Sequence, residues 1–197
     1  INTGIVPAPI YLTSERTIDA KIGRDALEQI LYAGIIGLGA IILLLVYFYH
    51  IGGLLAGIAL IVYSLILIAL VKFTNVTLTL ASIAGVILSI GLAIDANILI
   101  FERMKESLRA GHHMDKAIAT GFAKSWTAIW DSHITSLTSA VILYVFGISL
   151  IKGFGLMLGL GIVLSLFTAM WVSRVLIAVV GKTKIGENPK LFVGHKE

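Results

Sequence analysis

Two long apolar runs lie next to each other in the first third of the chain. Residues 30–49 are twenty residues without a formal charge and residues 51–71 are twenty-one, with only His50 between them. At 1.5 Å per residue, a helix of twenty residues crosses a hydrocarbon core about 30 Å thick. We therefore predict two membrane-spanning helices joined by a tight turn at His50, Gly52 and Gly53.

The rest of the chain continues this pattern. The sequence is 58% hydrophobic and 13% charged, far more apolar than an average soluble domain. Further apolar runs predict spans at residues 80–101, 134–151 and 154–173, with a turn at Lys152 and Gly153. The predicted fold is an all-α integral membrane protein with a five-helix transmembrane domain over residues 29–180.

The long polar interval at residues 102–129 predicts an additional helix lying at the membrane interface. Ile118, Phe122 and Trp126 recur there at helical spacing, opposite Lys116 and Lys124. Met104 and Leu108 are expected to extend the third span briefly before Gly111 ends it.

The basic residues predict the orientation in the membrane. Five lie in the interval between the third and fourth spans and five after the last span (Arg103, Lys105, Arg109, Lys116, Lys124; Arg174, Lys182, Lys184, Lys190, Lys196). The positive-inside rule puts both segments in the cytoplasm, so the tail at residues 181–197 is cytoplasmic and residues 1–28 lie outside. Orientation explains the net charge of +4 better than nucleic acid does. The start at Ile1 and the prolines Pro7 and Pro9 suggest the tail of a preceding periplasmic domain in a longer protein.

Asp95 is the residue that most needs a function. It stands in a run that contains no other charged residue from Phe73 to Phe101, so it lies within the hydrocarbon region. A carboxylate at the centre of a membrane helix costs roughly 2.5–3.5 kcal/mol and is by default functional. The alternative is that Asp95 only hydrogen-bonds a neighbouring helix for packing.

Small residues repeat every four positions on two predicted spans (Ala81, Gly85, Ser89, Ala93; Gly161, Ser165, Ala169, Ser173). Such spacing lets helices approach closely. We therefore expect the Asp95 helix at the centre of the bundle, flanked by the fourth and fifth spans, with Asp95 facing other helices rather than lipid.

The entrance to the fourth span is unusually polar, with Asp131, Ser132, His133, Thr135, Ser136 and Thr138. These side chains indicate either a wet interior face or hydroxyls that bond to carbonyls of their own helix. His112, His113 and Asp115 fit a solvated loop better than a metal site, and the chain has no cysteine. We expect no metal, no cofactor and no enzymatic activity, because no motif combines a nucleophile, a base and an orienting group.

The segment Gly91-Leu-Ala-Ile-Asp-Ala-Asn-Ile-Leu-Ile-Phe-Glu-Arg-Met-Lys-Glu106 resembles the signature of the SecD family of protein-export membrane subunits. Other ordered motifs along the chain resemble the same family (Pro7-Ala-Pro9, Glu15-Arg-Thr17, Ala119-Thr-Gly-Phe122, Asp131-Ser-His-Ile-Thr-Ser136, Gly153-Phe154, Ser165-Leu-Phe-Thr-Ala169). The family belongs to the resistance-nodulation-division superfamily. The resemblance implies one half of a pseudo-symmetric bundle in the inner cell membrane, with the last five of six spans present.

The resemblance also implies a function. Proton-motive force would drive protein translocation in a complex with SecF, the SecYEG translocon and an unfolded polypeptide. Asp95 matches the family's proton-responsive Asp, with support expected from Asn97, Asp131, His133 and Thr135; His133 stands where the family usually has Asn, and Ser136 where a second Thr is common. Gly91, Glu102, Arg103, Gly121 and Gly153 match structural positions of the motifs. A proton-coupled small-molecule efflux subunit and a non-transporting scaffold of the translocon are the alternatives.

Overall fold

Helices account for almost all of the part of the chain that the computed structural model describes, residues 20–74, 78–181, 183 and 192, and no strand occurs there. The helices are α1 (Ala20–Tyr49), α2 (Ile51–Thr74), α3 (Leu80–Arg109), α4 (Met114–Phe146), α5 (Ser149–Phe167) and α6 (Ser173–Gly181). A π-helical turn, Thr168–Val172, joins α5 to α6. Residues 1–19 of the predicted extracytoplasmic tail lie outside the described residues. Most of the predicted cytoplasmic tail, residues 181–197, lies outside them as well.

The chain divides into two units, residues 1–37 and residues 38–197. In the first, the described helical residues leave Tyr32, Ile35 and Ile36 exposed. In the second, His50 adopts a left-handed conformation with φ of 51°, which ends α1 and starts α2 one residue later. A Cβ built on Gly57 would lie 3.0 Å from Ile42, so the helices are close next to this turn. The predicted tight turn is confirmed at His50, whereas Gly52 and Gly53 lie inside the first turn of α2.

α3 makes its most extensive contacts with α5 and α4, as predicted, and α4 and α5 also pack directly against each other, so the three helices form one mutually packed group. Its small-residue face packs against α5, and we call this contact the seam: Ser82, Gly85 and Ser89 of α3 against Gly153, Met157 and Gly161 of α5. A Cβ on Gly85 would lie 2.6 Å from the Phe154 carbonyl oxygen. The helix backbones therefore meet at a distance that larger side chains would prevent.

Within the described part of the chain, four helices are long and apolar enough to cross a membrane: Glu28–Tyr49, Ile51–Phe73, Leu80–Arg109 and Ser149–Gly181. The chain is thus a multi-pass membrane protein. α4 has 33 residues and extends for roughly 50 Å, which exceeds the hydrocarbon thickness, but its polar residues keep it out of this group. Four of the five predicted spans are therefore supported by length and composition.

The boundaries of the fourth and fifth predicted spans differ from the structure. Residues 102–129 do not form a separate segment: α3 continues to Arg109, Gly111 with φ of 84° makes the turn, and the remainder is the first half of α4. The turn predicted at Lys152 and Gly153 is wrong, because both residues lie inside α5 and the chain turns at Gly147 and Ile148. Gly153 breaks no helix; a Cβ there would lie 2.5 Å from the Ser82 hydroxyl, so its role is close packing.

Candidate functional site

Asp95 lies in the middle of α3 on its exposed face. It shares that face with Ala84, Leu88 and Gly91, which are also exposed, and it forms no hydrogen bond or ion pair with any described residue. The described helices of this chain therefore leave Asp95 uncovered, and its expected position against other helices rather than lipid stays a prediction. The adjoining face of α3, which carries the small residues, packs against α5. Asp95 lies on a different side of the helix and is therefore left exposed.

Exposed polar side chains follow one face of α4, and we call Asp131, Thr135, Thr138 and Ser139 the polar strip. The Thr135 hydroxyl donates to the Asp131 carbonyl oxygen and the Thr138 hydroxyl to that of Ile134, each at 2.8 Å. Ser139 donates to the Thr135 carbonyl oxygen at 3.2 Å. The interpretation in which the hydroxyls bond to carbonyls of their own helix is confirmed for these three residues, and their face of α4 is exposed rather than interior.

His133 points away from the polar strip and is only 5% exposed. Its Nδ1 lies 2.8 Å from the Ile129 carbonyl oxygen and its Nε2 2.9 Å from the Ser165 hydroxyl on α5. The Asp95 carboxylate is close enough to interact electrostatically with the imidazole. His133 therefore connects the contact between α4 and α5 to the exposed carboxylate on α3.

The hydrogen bonds of His133 are compatible with both protonation states. A carbonyl oxygen only accepts, so Nδ1 carries a hydrogen in either state. In the neutral imidazole the Ser165 hydroxyl donates to Nε2. In the imidazolium Nε2–H donates to the Ser165 oxygen, and the hydroxyl hydrogen turns to the Ile162 carbonyl oxygen at 2.8 Å. The buried ring can thus gain or lose a proton without leaving a polar group unpaired.

Asn97 lies two residues beyond Asp95 and faces the interior, 4% exposed. Its Nδ2 donates to the Ala93 carbonyl oxygen at 3.1 Å, and its Oδ1 accepts from the Ser173 hydroxyl at 2.6 Å. Two residues correspond to about 200° around a helix, which explains why the two polar side chains diverge. Asn97 ties α3 to α6 and is not part of the exposed surface that carries Asp95.

The sequence analysis missed a second buried polar contact, centred on Tyr63 of α2. The Tyr63 hydroxyl lies 2.8 Å from Ser89 on α3 and 3.3 Å from the Gly161 carbonyl oxygen on α5. Ser125 of α4 likewise donates to the Leu99 carbonyl oxygen at 3.2 Å. The signal available in the sequence was the presence of serines on the small-residue faces, where alanine or glycine would pack equally well.

The five motif residues occupy different environments. Gly121 and Gly153 are in tight contacts, Gly121 against Met104 and the Ile100 carbonyl of α3. Gly91 has open space around it. Glu102 is exposed, and Arg103 forms an ion pair with Glu106 at 3.0 Å. His112 contacts the Ser107 hydroxyl at 3.3 Å, and no group of three metal-binding side chains comes together within the described ranges.

These features define a class of protein: a multi-pass helical membrane protein whose buried helix contacts are made by small and hydroxylated residues, with an exposed carboxylate in the middle of a spanning helix. Residues 5–183 match the family described as protein export membrane protein SecD/SecF, C-terminal. The chain belongs to this family, and the predicted resemblance is confirmed.

Curated relatives and solved structures agree with this assignment. The chain is 40% identical over 96% of its length to protein translocase subunit SecD of Synechocystis sp., of which it covers 40%. It is also 40% identical over 98% of its length to the subunit of the same name from Dehalococcoides mccartyi, covering 44% of that protein. The crystal structure of SecDF, a translocon-associated membrane protein from Thermus thermophilus, superposes with a TM-score of 0.81 at 37% identity, covering 84% of this chain and 23% of that one. The chain thus spans less than half the length of these curated relatives.

Proposed function

We propose that the chain is the membrane part of a SecD-like subunit that uses the proton-motive force to assist protein translocation, with Asp95 as the proton carrier. The observation that carries this proposal is the position of Asp95, on the exposed surface of a membrane-spanning helix and without a hydrogen bond or ion pair to any residue that the structure describes. Family membership supports it, since the relatives named above are protein translocase subunits. A charge in that position is too costly to be retained without a use.

Protonation of Asp95 changes the polarity of the α3 surface. The neutral acid tolerates an apolar neighbour, whereas the carboxylate requires water or a polar partner. Two arrangements of a partner against this surface would therefore differ in stability according to the charge on Asp95. One proton moving through the full potential releases about 2.3 kcal/mol per 100 mV, so work on a polypeptide requires repeated cycles.

His133 extends this mechanism into the interior of the bundle. We propose that the charge on Asp95 influences the imidazole of His133, which is buried nearby on α4. Proton gain or loss at His133 then reverses the hydrogen bond to Ser165. The contact between α4 and α5 thereby registers the state of the exposed carboxylate, with Asp131 and Thr135 supplying polar groups on the adjoining surface.

The partners follow from the surface that this chain leaves exposed. Asp95 and the polar strip require a protein neighbour rather than lipid, and we assign SecF to this surface and SecYEG to the larger assembly. α4 then completes the five predicted spans as the fourth in chain order. The basic residues at the end of α3 and at the start of α6 lie on the cytoplasmic side. The turn at His50 fits that side, since Lys105 of α3 lies 5.8 Å from the ring centroid of Tyr49.

Asp95→Asn is the decisive substitution, because Asn has nearly the same size but cannot titrate. We expect it to abolish the stimulation of protein export by an imposed proton gradient, measured in inverted membrane vesicles from cells that carry the change. Asp95→Glu should keep part of the stimulation. Asp115→Asn, an exposed carboxyl outside the apolar run, should behave like the parent.

Subunit amounts and copurification with SecF must be equal in all vesicles for the comparison to count. If Asp95→Asn vesicles respond to the gradient like the parent, the proton-carrier function is wrong and a non-transporting scaffold becomes the better description. If export never depends on the chain while extrusion of a small molecule does, the efflux subunit replaces the translocase.

A further inference from the structure

A groove of about 600 Å³ runs between α4 and the last two helices. Its walls are mainly apolar and aromatic, with Trp126 on one side and Phe167, Met170 and Trp171 on the other. Phe167 and Trp171 stack with ring centroids 6.2 Å apart, so flat ring faces line that wall. A channel with such walls fits an extended hydrocarbon chain rather than a polar ligand.

All three tryptophans of the chain belong to this region. Trp126 and Trp171 line the groove, and Trp130 stacks on Trp126 with centroids 5.5 Å apart. Trp126 is 40% exposed, Trp130 43% and Trp171 68%. Tryptophan concentrates at the level of lipid headgroups in membrane proteins, so the groove opens where a hydrocarbon chain joins its headgroup.

Arg174 is the one charged residue among those that line the groove. Its guanidinium carbon lies 5.7 Å from the ring centroid of Phe122, which holds the group against α4 by a cation–π contact. No acidic side chain in the described part of the chain forms an ion pair with Arg174. The ion pair found in that part of the chain joins Arg103 to Glu106. Asp131 lies about 140° around α4 from Trp126. The N–H edges of Arg174 thus remain available to an anion.

We propose that this groove binds an anionic phospholipid, with one acyl chain along Trp126 and Trp171 and the headgroup phosphate on Arg174. Charge decides the ligand: guanidinium groups bind phosphate oxygens with two parallel hydrogen bonds, and basic pockets between membrane helices at the cytoplasmic side are recognised sites for acidic headgroups. Asp95 is not among the residues that line the groove, so binding does not depend on the proton step; the placement at the cytoplasmic side rests on the orientation proposed above.

The position of the tryptophans makes the test direct, since the fluorescence of the whole chain reports on this groove. The 197-residue chain is reconstituted in phosphatidylcholine vesicles with a fixed minor fraction of either dibrominated phosphatidylglycerol or dibrominated phosphatidylcholine, whose bromine atoms quench tryptophan on contact. We expect phosphatidylglycerol to quench with an apparent affinity about fivefold higher, the effect of one basic residue near the headgroups. Arg174→Gln should remove the difference, and Arg174→Lys should keep part of it.

Lys152→Gln is the matched control, because Lys152 is an exposed cation in the first turn of α5, at the opposite end of that helix. It should leave the preference intact. Equal quenching by the two brominated lipids in the parent, or equal loss in the Lys152 and Arg174 variants, would overturn the proposal. So would a loss of quenching by both lipids when SecF is added, since a protein would then cover the groove. Circular dichroism and size exclusion establish that every variant is folded.

Discussion

Hydroxyl groups occur in two regions of this protein and form different hydrogen bonds in each. In the interior several of them cross between helices, as Ser173 does to Asn97 and Tyr63 to Ser89, while others, such as Ser165, also donate to a carbonyl of their own helix. On the polar strip they stay within one helix, as Thr135 does to the Asp131 carbonyl. An interhelical bond fixes a neighbour, whereas an intrahelical bond satisfies the hydroxyl and leaves the outer surface free. The interhelical bonds of the interior thus help to fix the fold of this chain, whereas the polar strip leaves its outer surface exposed.

The same contrast holds for glycine. Gly161 lies in the seam, where an added Cβ would collide with the Ser89 side chain. An added Cβ on Gly91, one helical turn before Asp95, would meet no other residue within 4 Å. The structural role of a hydroxyl or a glycine in a membrane helix therefore depends on which face of the helix carries it. The following substitutions test the contrast by making the same change in both regions.

Gly161→Leu should have the largest effect. The added side chain must displace Ser89 and the Tyr63 hydroxyl. Overpacking of a well-packed contact costs about 1–3 kcal/mol or more, so little monodisperse protein should survive extraction. Gly91→Leu should leave the isolated chain folded, while reducing its copurification with SecF. Size-exclusion profiles in mild detergent measure the first effect. Equal yields from the two variants would show that the seam is not close-packed.

Ser173→Ala should come next. It leaves the buried Asn97 Oδ1 without its donor, at a cost of about 1–3 kcal/mol in the free energy of unfolding. Ser139→Ala on the polar strip removes an intrahelical bond and should stay within about 0.5 kcal/mol of the parent. Thermal melts of the purified chain compare the two. The contrast between interior and strip fails if the Ser139 variant melts lower than the Ser173 variant.

Tyr63→Phe should have the smallest effect that is still measurable. The ring is kept, and Ser89 retains its bond to the Val86 carbonyl oxygen at 2.7 Å, so about 1 kcal/mol is expected. The matched change Tyr144→Phe, at a tyrosine that is 47% exposed, should be neutral in the same melts. A loss of several kcal/mol for Tyr63→Phe would mean that the hydroxyl organises more of the bundle than its two contacts indicate.

Hydropathy located most of the spans because each helix must satisfy its own backbone groups in the membrane. The regular spacing of small residues likewise identified the face of α3 that contacts α5. The turn before α5 was misplaced because Lys152 and Gly153 look like helix breakers, whereas Gly153 is needed for a contact with Ser82, which is distant in sequence. Composition alone cannot distinguish a glycine that turns the chain from one that lets a helix come close.

The candidate site was predictable only in part. Asp95 stood out because of its cost in the membrane, and the polar entrance to the fourth span was visible as well. The helical spacing put Asp95 and the small residues on adjoining faces but could not say which of them this chain covers. The contact between His133 and Ser165 was not predictable either, since it depends on the relative positions of α4 and α5.

The π-helical turn gives the last membrane helix two independent phases. The amide of Ser173 bonds to the Thr168 carbonyl, five residues back, where an α-helix would use four. One extra residue delays the helix by about 100°, so α6 is out of phase with α5. Deleting one residue of the turn would restore the phase and rotate α6 as a block, carrying Ser173 away from Asn97 and Arg174 away from Phe122 while the seam of α5 stayed in place. The turn therefore sets a fixed rotation between α5 and α6, so that each of them can present a different face to its own neighbours.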